Sequence, residues 1–477
     1  MLRARALGLA LAIAAAACAT PRSFSRTVPA PPPLAIEGAP RDFDPAAHAA
    51  PDAPGAPRSV VLATRHVELP NGVGMIALER AGVPMVTVVL RIGLGTDDDP
   101  ELARLAVHAW ELSSYAAWYE LGATMSHVVM PTFAALAAQG PADAMDALVR
   151  IFADTVKDPA SIEKVGFAWE RDGTRDAFAA AAVRSDVRAD RALAERLGHA
   201  DKPVEETLAA IDRLRPEDLT AYLRARLRPS SATLVVVGDR SPAAVFESVR
   251  AHFADWKERG AAPAPRPTPA TPIPGDPSAI VLVHRPDERQ ALLAIGAALP
   301  EHETADQLRD AGALASLLAG GVTSRLNARL RLERGATYGL RGFLTRRAWG
   351  DVLHVRGAVD AKRTGEALAA IVVELDAARA KAPTVAELEA ARAESFGATA
   401  LSGLELASWL TSWPGSGEAF DVWASATSTG RARDPERVRA LAEQVLAPER
   451  RRVVIVGDAR VLEPALRDAG FTNLLRR

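Results

Sequence analysis

Two runs of β-branched residues, 219 positions apart, end in the same way: Leu234-Val235-Val236-Val237-Gly238-Asp239 and Val453-Val454-Ile455-Val456-Gly457-Asp458. Branching at Cβ stiffens χ1 and favours the pleated backbone, so each short apolar run reads as a buried strand. A Gly-Asp turn breaks each strand, and a short amphipathic helix follows. After the first, Ser241-Pro242 supplies an N-cap and a proline at the first helical position. A strand signature of this kind, met twice, restricts the chain to one folding unit built two times.

The openings of the two halves correspond as well. Val60 to Ala63, Met75 to Glu79 and Val86 to Ile92 alternate like strands, with Asn71-Gly72 as a turn, and Ile280 to His284 and Ala291 to Gly296 do the same in the second half. Between strands the period changes to that of helices. Met145, Leu148, Phe152 and Thr155 fall at helical spacing, and Thr384-Val385-Ala386-Glu387 is a capping box. Strands segregated from helices predict an α+β class, as two homologous domains in one chain. Proline-rich composition places the boundaries: a domain over 59–258, a linker over 259–278 and a second domain over 279–477.

Residues 1–17 read as a signal peptide. Arg3 and Arg5 precede an apolar run from Ala6 to Ala17 that is too short to span a bilayer. The run ends at Cys18, the sole cysteine, in a setting that resembles a bacterial lipobox, although Ala15 stands where leucine is usual. Cys18 is therefore a candidate for lipidation. The competing reading is secretion by cleavage at an A-x-A site. Both predict an exported protein of the bacterial envelope, with a lipid anchor facing the periplasm in the first case. One cysteine also excludes a disulfide within the chain. Residues 18–58, rich in proline and alanine, read as an extended tether. A net charge of −2 and an aromatic content of 5% argue against a nucleic-acid surface.

His108-Ala109-Trp110-Glu111-Leu112 carries the most telling chemistry. Residues at i and i+4 of a helix share a face, so H-x-x-E-H presents two imidazoles and a carboxylate to one metal ion. Here the fifth position is leucine, which has no lone pair to donate. None of the eight histidines elsewhere restores the pair.

With these elements placed, the chain resembles the pitrilysin or insulinase-type zinc peptidases, the inverzincin group, from about Val60 to the C-terminus. Val86-Thr87-Val88-Val89-Leu90-Arg91-Ile92-Gly93-Leu94-Gly95-Thr96-Asp97 is similar to the family's strand and turn leading into the metal helix. The resemblance puts His108 on the first metal ligand, Glu111 on the general base and Leu112 on the lost second ligand. It puts Glu170 on the third ligand and Glu163, seven positions earlier, on the accompanying acidic residue. Glu170 follows His108 by 62 residues, less than is usual in the family. The deficit falls just before Leu121-Gly122-Ala123, which implies a shortened active-site wall.

The second half carries the fuller signature. Gly320-Gly321-Val322-Thr323-Ser324-Arg325-Leu326, followed by Arg331 and by Arg334-Gly335-Ala336-Thr337-Tyr338, resembles the family's substrate-gripping segment. The implied substrate-binding pair is Arg331 and Tyr338. A guanidinium and a phenol are both donors able to hold a scissile carbonyl and the oxyanion that forms on it.

The resemblance therefore implies a non-catalytic, exported subunit that lends Arg331 and Tyr338 to a zinc-bearing relative, with peptide as the shared substrate. His108, Glu111, Glu163 and Glu170 are then vestigial, and no cofactor is expected in this chain, zinc belonging to the partner. Two alternatives stay open. One is a metallopeptidase active by itself, binding zinc weakly through His108 and Glu170 with help from Glu163 or His127. The other is a pseudopeptidase that serves as a binding or scaffolding module.

Overall fold

The computed structural model describes residues 64–94, 99–130, 132–158, 167–258, 276–300, 305–347, 349–391, 403–411 and 433–477. The signal segment 1–17, Cys18, the tether to 58, the strand expected at Val60–Ala63 and Glu163 lie outside the described residues, as do 259–275 of the linker.

The first half contributes strands β1 (Thr64–Glu68), β2 (Gly74–Glu79), β3 (Met85–Gly93), β4 (Thr124–Met130), β5 (Phe133–Pro141) and β6 (Ala232–Gly238). Its helices include α1 (Pro100–Ser113), α2 (Tyr115–Glu120), α3 (Met145–Lys157), α4 (Phe167–Ala182), α5 (Ser185–Arg196), α6 (Pro216–Arg226) and α7 (Pro242–Phe253). The second half adds β7 (Ile280–His284), β8 (Gln290–Ala298), α8 (Ala305–Ala319), β9 (Thr337–Arg347), β10 (Gly350–Asp360), α9 (Thr364–Ala380), α10 (Gly403–Thr411), α11 (Pro435–Val445), β11 (Arg452–Gly457), α12 (Ala459–Asp468) and β12 (Leu474–Arg476).

Strand order exposes the duplication. The two six-stranded sheets run β1-β2-β6-β3-β5-β4 and β12-β7-β11-β8-β10-β9. Five strands of one match five of the other in order and direction: β6 lies parallel to β2 and antiparallel to β3, and β11 lies parallel to β7 and antiparallel to β8. Only the outermost strand differs in origin, being the first strand in one sheet and the last in the other. The class is α+β with a repeated unit, as the sequence predicts.

Each signature strand sits inside its sheet with both faces covered, which is why its apolar residues run without alternation. One face of the first sheet, with Leu234 and Val236, packs on Leu105, Ala106 and Trp110 of α1, Leu148 and Phe152 of α3, and Val249 and Phe253 of α7. Trp118 of α2 closes this core, its ring 4.7 Å from Phe152 and its Nε1 donating to Ser114 Oγ at 2.7 Å. The opposite face, with Val235 and Val237, is covered by Ala407 and Leu410 of α10, a helix of the second half. The second sheet mirrors this. Its outer core is built on α8, α9, α11 and α12, while Val281, Val454 and Val456 on the other face meet Ala189, Ala192 and Leu193 of α5, a helix of the first half.

The halves thus exchange a helix, and Ser59–Arg477 is one compact unit. Polar contacts reinforce the α5 side: Arg356 Nη1 lies 2.9 Å from both oxygens of Asp190, Arg285 donates to Ser185 Oγ at 2.7 Å, Arg452 Nε donates to the Arg196 carbonyl at 3.0 Å, and Arg477 pairs with Glu195.

One close approach sets where β9 lies. A Cβ on Gly342 would stand 2.1 Å from the Ala315 carbonyl oxygen of α8, so strand and helix pack backbone to backbone there. Gly342→Ala is expected to lower the stability of the full chain by about 1–3 kcal/mol, read from the urea midpoint, because neither backbone can yield as a side chain would. An unchanged midpoint would show that α8 moves away freely.

Candidate functional site

Helix α1 starts where the capping rules place it. Asp99 Oδ1 accepts from the Glu101 and Leu102 amides at 3.0 and 3.1 Å, and Pro100 takes the first helical position. Leu105, Ala106, Ala109 and Trp110 turn to the core, which leaves His108, Glu111 and Leu112 partly exposed. Glu170, on α4, is 5% exposed and lies against His108, with Oε2 2.8 Å from the imidazole Nδ1. Two residues that the sequence sets 62 positions apart are therefore brought together as the resemblance implies.

His127 completes the cluster in a way the sequence does not reveal. It stands on β4, the edge strand of the first sheet, and its Nδ1 lies 2.5 Å from Glu111 Oε2. Its ring stacks on His108 with centroids 5.1 Å apart and an interplanar angle of 27°. The arrangement is two imidazole–carboxylate pairs laid side by side, His108 with Glu170 and His127 with Glu111.

This donor set does not fit a catalytic zinc ion. Such a site needs three protein ligands and an open position. Here Leu112 offers none, and the carboxylates of Glu111 and Glu170 each face an imidazole Nδ1. Among the described residues, no group of three or more His, Cys, Asp and Glu is placed to hold a metal ion. His127, a candidate auxiliary ligand from sequence, is directed to Glu111 and not to a donor set shared with His108 and Glu170. The wall beyond α1 is short: α2 spans only Tyr115–Glu120, and a turn with Gly122 at φ 66° leads straight into β4. Tyr115 and Tyr119 stand exposed on it.

The second constellation lies on the other half. Residues Ala328–Glu333 form a π-helical turn, closed by Gly335 at φ 58°, a left-handed conformation natural to glycine. The turn and the start of β9 bring Arg331 over the ring of Tyr338, with the guanidinium carbon 5.4 Å from the ring centroid. Tyr338 is 88% exposed, so its phenol is available to a ligand. Arg325 anchors the segment from behind: it donates to Glu387 Oε1 at 2.8 Å and lies 3.6 Å from Glu374. That guanidinium, with the Thr384 amide and hydroxyl, holds the Glu387 carboxyl down to about 2. Glu387 and Thr384 also form the reciprocal capping box read from sequence.

A cavity of about 780 Å³ separates the edge strands of the two sheets. His127 and Met130 of β4 and Phe133 of β5 line one side, Phe343 and Leu344 of β9 the other, with Leu404 of α10 nearby. Its walls are mainly apolar, and it touches the His/Glu cluster through His127. Arg331 and Tyr338 do not line it. The structure therefore assembles each sequence-predicted constellation separately and does not join them in this cavity.

Comparison with known proteins finds relatives of this fold. Residues 213–395 match the family described as the peptidase M16 inactive domain. No curated protein matches the chain. Among solved structures, a peptidase M16 inactive domain from Pseudomonas fluorescens is similar with a TM-score of 0.71 at 18% identity, covering 83% of this chain and 99% of that one. A chain of complex III2 from Candida albicans gives 0.66 at 13% identity, covering 86% and 100%, and pitrilysin gives 0.64 at 14% identity, covering 85% of this chain and 48% of that one. In fold over most of its length the chain is similar to M16 and pitrilysin-type peptidase structures, and over residues 213–395 its sequence matches the peptidase M16 inactive domain.

Proposed function

We propose that this chain is the non-catalytic subunit of a two-chain peptidase, lending Arg331 and Tyr338 to a partner that carries an intact H-x-x-E-H zinc site. The observation that carries the reading is the contrast between the two constellations. The acidic and imidazole groups of the first half satisfy one another, whereas Tyr338 stands 88% exposed with Arg331 above it. A grip without a metal is of use where a second chain supplies the metal. Zinc, on this reading, belongs to the partner, and the substrate is an unstructured peptide. The similarity to a complex III2 chain adds support for work within an assembly.

The test is a mixing experiment. The full chain, a co-expressed zinc-bearing relative and the two together are assayed on an unstructured peptide, and zinc is measured in each. Cleavage confined to the mixture, and diminished by Arg331→Ala or Tyr338→Phe, is the expected result. Zinc and cleavage in the isolated chain would overturn the proposal, and so would a mixture no more active than the relative alone.

The N-terminal sequence supports a place for this assembly at the envelope. An apolar run ending at Cys18, followed by a proline-rich tether, suits a lipid-anchored protein facing the periplasm. Mass spectrometry of the mature N-terminus is expected to find Cys18 as the first residue, carrying diacylglycerol. A mature chain starting after Cys18 would remove the anchor from the proposal and leave plain secretion.

A further inference from the structure

We propose that Asn327 is the positioning residue of the Arg331–Tyr338 pair, its buried amide clamping the turn that carries Arg331 to the strand that carries Tyr338. The proposal rests on the reading of that pair as a peptide grip. Asn327 precedes the π-helical turn and is 4% exposed, so its amide must find partners inside the protein. It finds them on both sides. Nδ2 donates to the Gly321 carbonyl at 2.7 Å and to the Leu340 carbonyl at 3.0 Å, with Ser324 Oγ at 3.2 Å, while Oδ1 accepts from the Leu340 amide at 2.7 Å.

The double bond to Leu340 has the form of strand pairing. Among the described residues β9 is an edge strand with β10 on its inner side, so the outward amide and carbonyl of Leu340 lack a neighbouring strand. The Asn327 side chain takes that place, because a carboxamide carries the same donor and acceptor as a peptide group. An aspartate could accept from the Leu340 amide but could not donate to its carbonyl.

The clamp sits close to both members of the grip. Arg331 lies four residues beyond Asn327, and Tyr338 lies two residues before Leu340. Between them the turn is closed by the Ala336 amide donating to the Leu330 carbonyl at 2.8 Å and the Gly335 amide to the Arg331 carbonyl at 3.2 Å. A single cation–π contact at an exposed ring is weak, so it does not by itself keep two long side chains in register. The backbone restraint supplied by Asn327 does.

The experiment uses the full chain labelled with 3-fluorotyrosine, whose four tyrosines give four ¹⁹F resonances. In Asn327→Ala and Asn327→Asp the Tyr338 resonance is expected to move toward its position in Arg331→Ala, with the other three unchanged. Affinity for fluorescein-labelled β-casein is expected to fall about tenfold through misplacement of the pair. A Tyr338 resonance unmoved in both variants overturns the clamp. If Arg331→Ala binds β-casein as tightly as the unaltered chain, the grip reading fails, while the fluorine shifts still decide the role of Asn327. Should neither variant fold, hydrogen exchange in the unaltered chain decides: a protected Leu340 amide supports the clamp, and exchange as fast as at an exposed loop overturns it.

Discussion

Replacing Arg331 by alanine is expected to lower peptide cleavage by the mixed assembly by about 10²-fold or more, the loss seen when one donor to a developing oxyanion is removed. The guanidinium presents several N–H donors in a fixed fork, so it can bind the carbonyl oxygen and follow it as charge builds. Its place above the Tyr338 ring, 5.4 Å from the centroid, limits the conformations it must give up on binding. Tyr338→Phe separates two contributions, because the ring that supports Arg331 is retained while the phenol is lost. Its cleavage is expected to fall less than that of Arg331→Ala. Both variants should assemble with the zinc-bearing partner as the unaltered chain does. Full cleavage by the Arg331→Ala mixture would remove this pair from the chemistry.

Acid should destabilise the chain through His354. This residue, on β10, is 3% exposed, and neither ring nitrogen has a hydrogen-bond partner among the described residues. Its imidazole stacks on Phe343 of β9 with centroids 5.0 Å apart and planes 1° from parallel. Burial, and then the Arg347 and Arg356 charges, push its pKa down from 6.5 to about 3. Asp190 of α5 pairs with Arg356, which places an acidic group across the same interface.

The sign follows from proton uptake. Between about pH 3 and 6.5 the unfolded chain protonates this histidine and the folded chain does not, so folding loses free energy as the pH falls from 6.5 toward 3. At pH 4 the loss from this one group amounts to about 3 kcal/mol. Other carboxylates also contribute to acid sensitivity, but His354→Phe removes only the imidazole. Urea unfolding at pH 7 and pH 4 should therefore show the variant losing about 3 kcal/mol less than the unaltered chain over that interval. Equal losses in the two proteins would show that His354 is solvated or partnered in solution.

Much of the fold is legible in the sequence. Leu234 to Val237 and Val453 to Val456 announce two equivalent inner strands, and the paired openings announce a repeat. The family resemblance also singles out residues that the structure brings together. Arg331 does meet Tyr338 through the geometry of one local turn, whereas His108 meets Glu170 only because two helices pack together. His127 and Asn327 are harder to assign. Their partners, Glu111 and Leu340, are chosen by which strand ends up at a sheet edge, and residue type or period does not encode that choice.

The sequence by itself determined the inner strands and the duplication, which follow from branching and periodicity, and the leucine at position 112 where H-x-x-E-H has a second imidazole; Arg331 and Tyr338 were singled out by the family resemblance alone. Tertiary structure alone decided that each half covers the other's sheet with a helix, that His127 lies against Glu111, and that His354 is sealed without a partner among the described residues. An apolar face specifies that it must be buried. Which surface buries it depends on where two chain segments far apart in sequence come to pack.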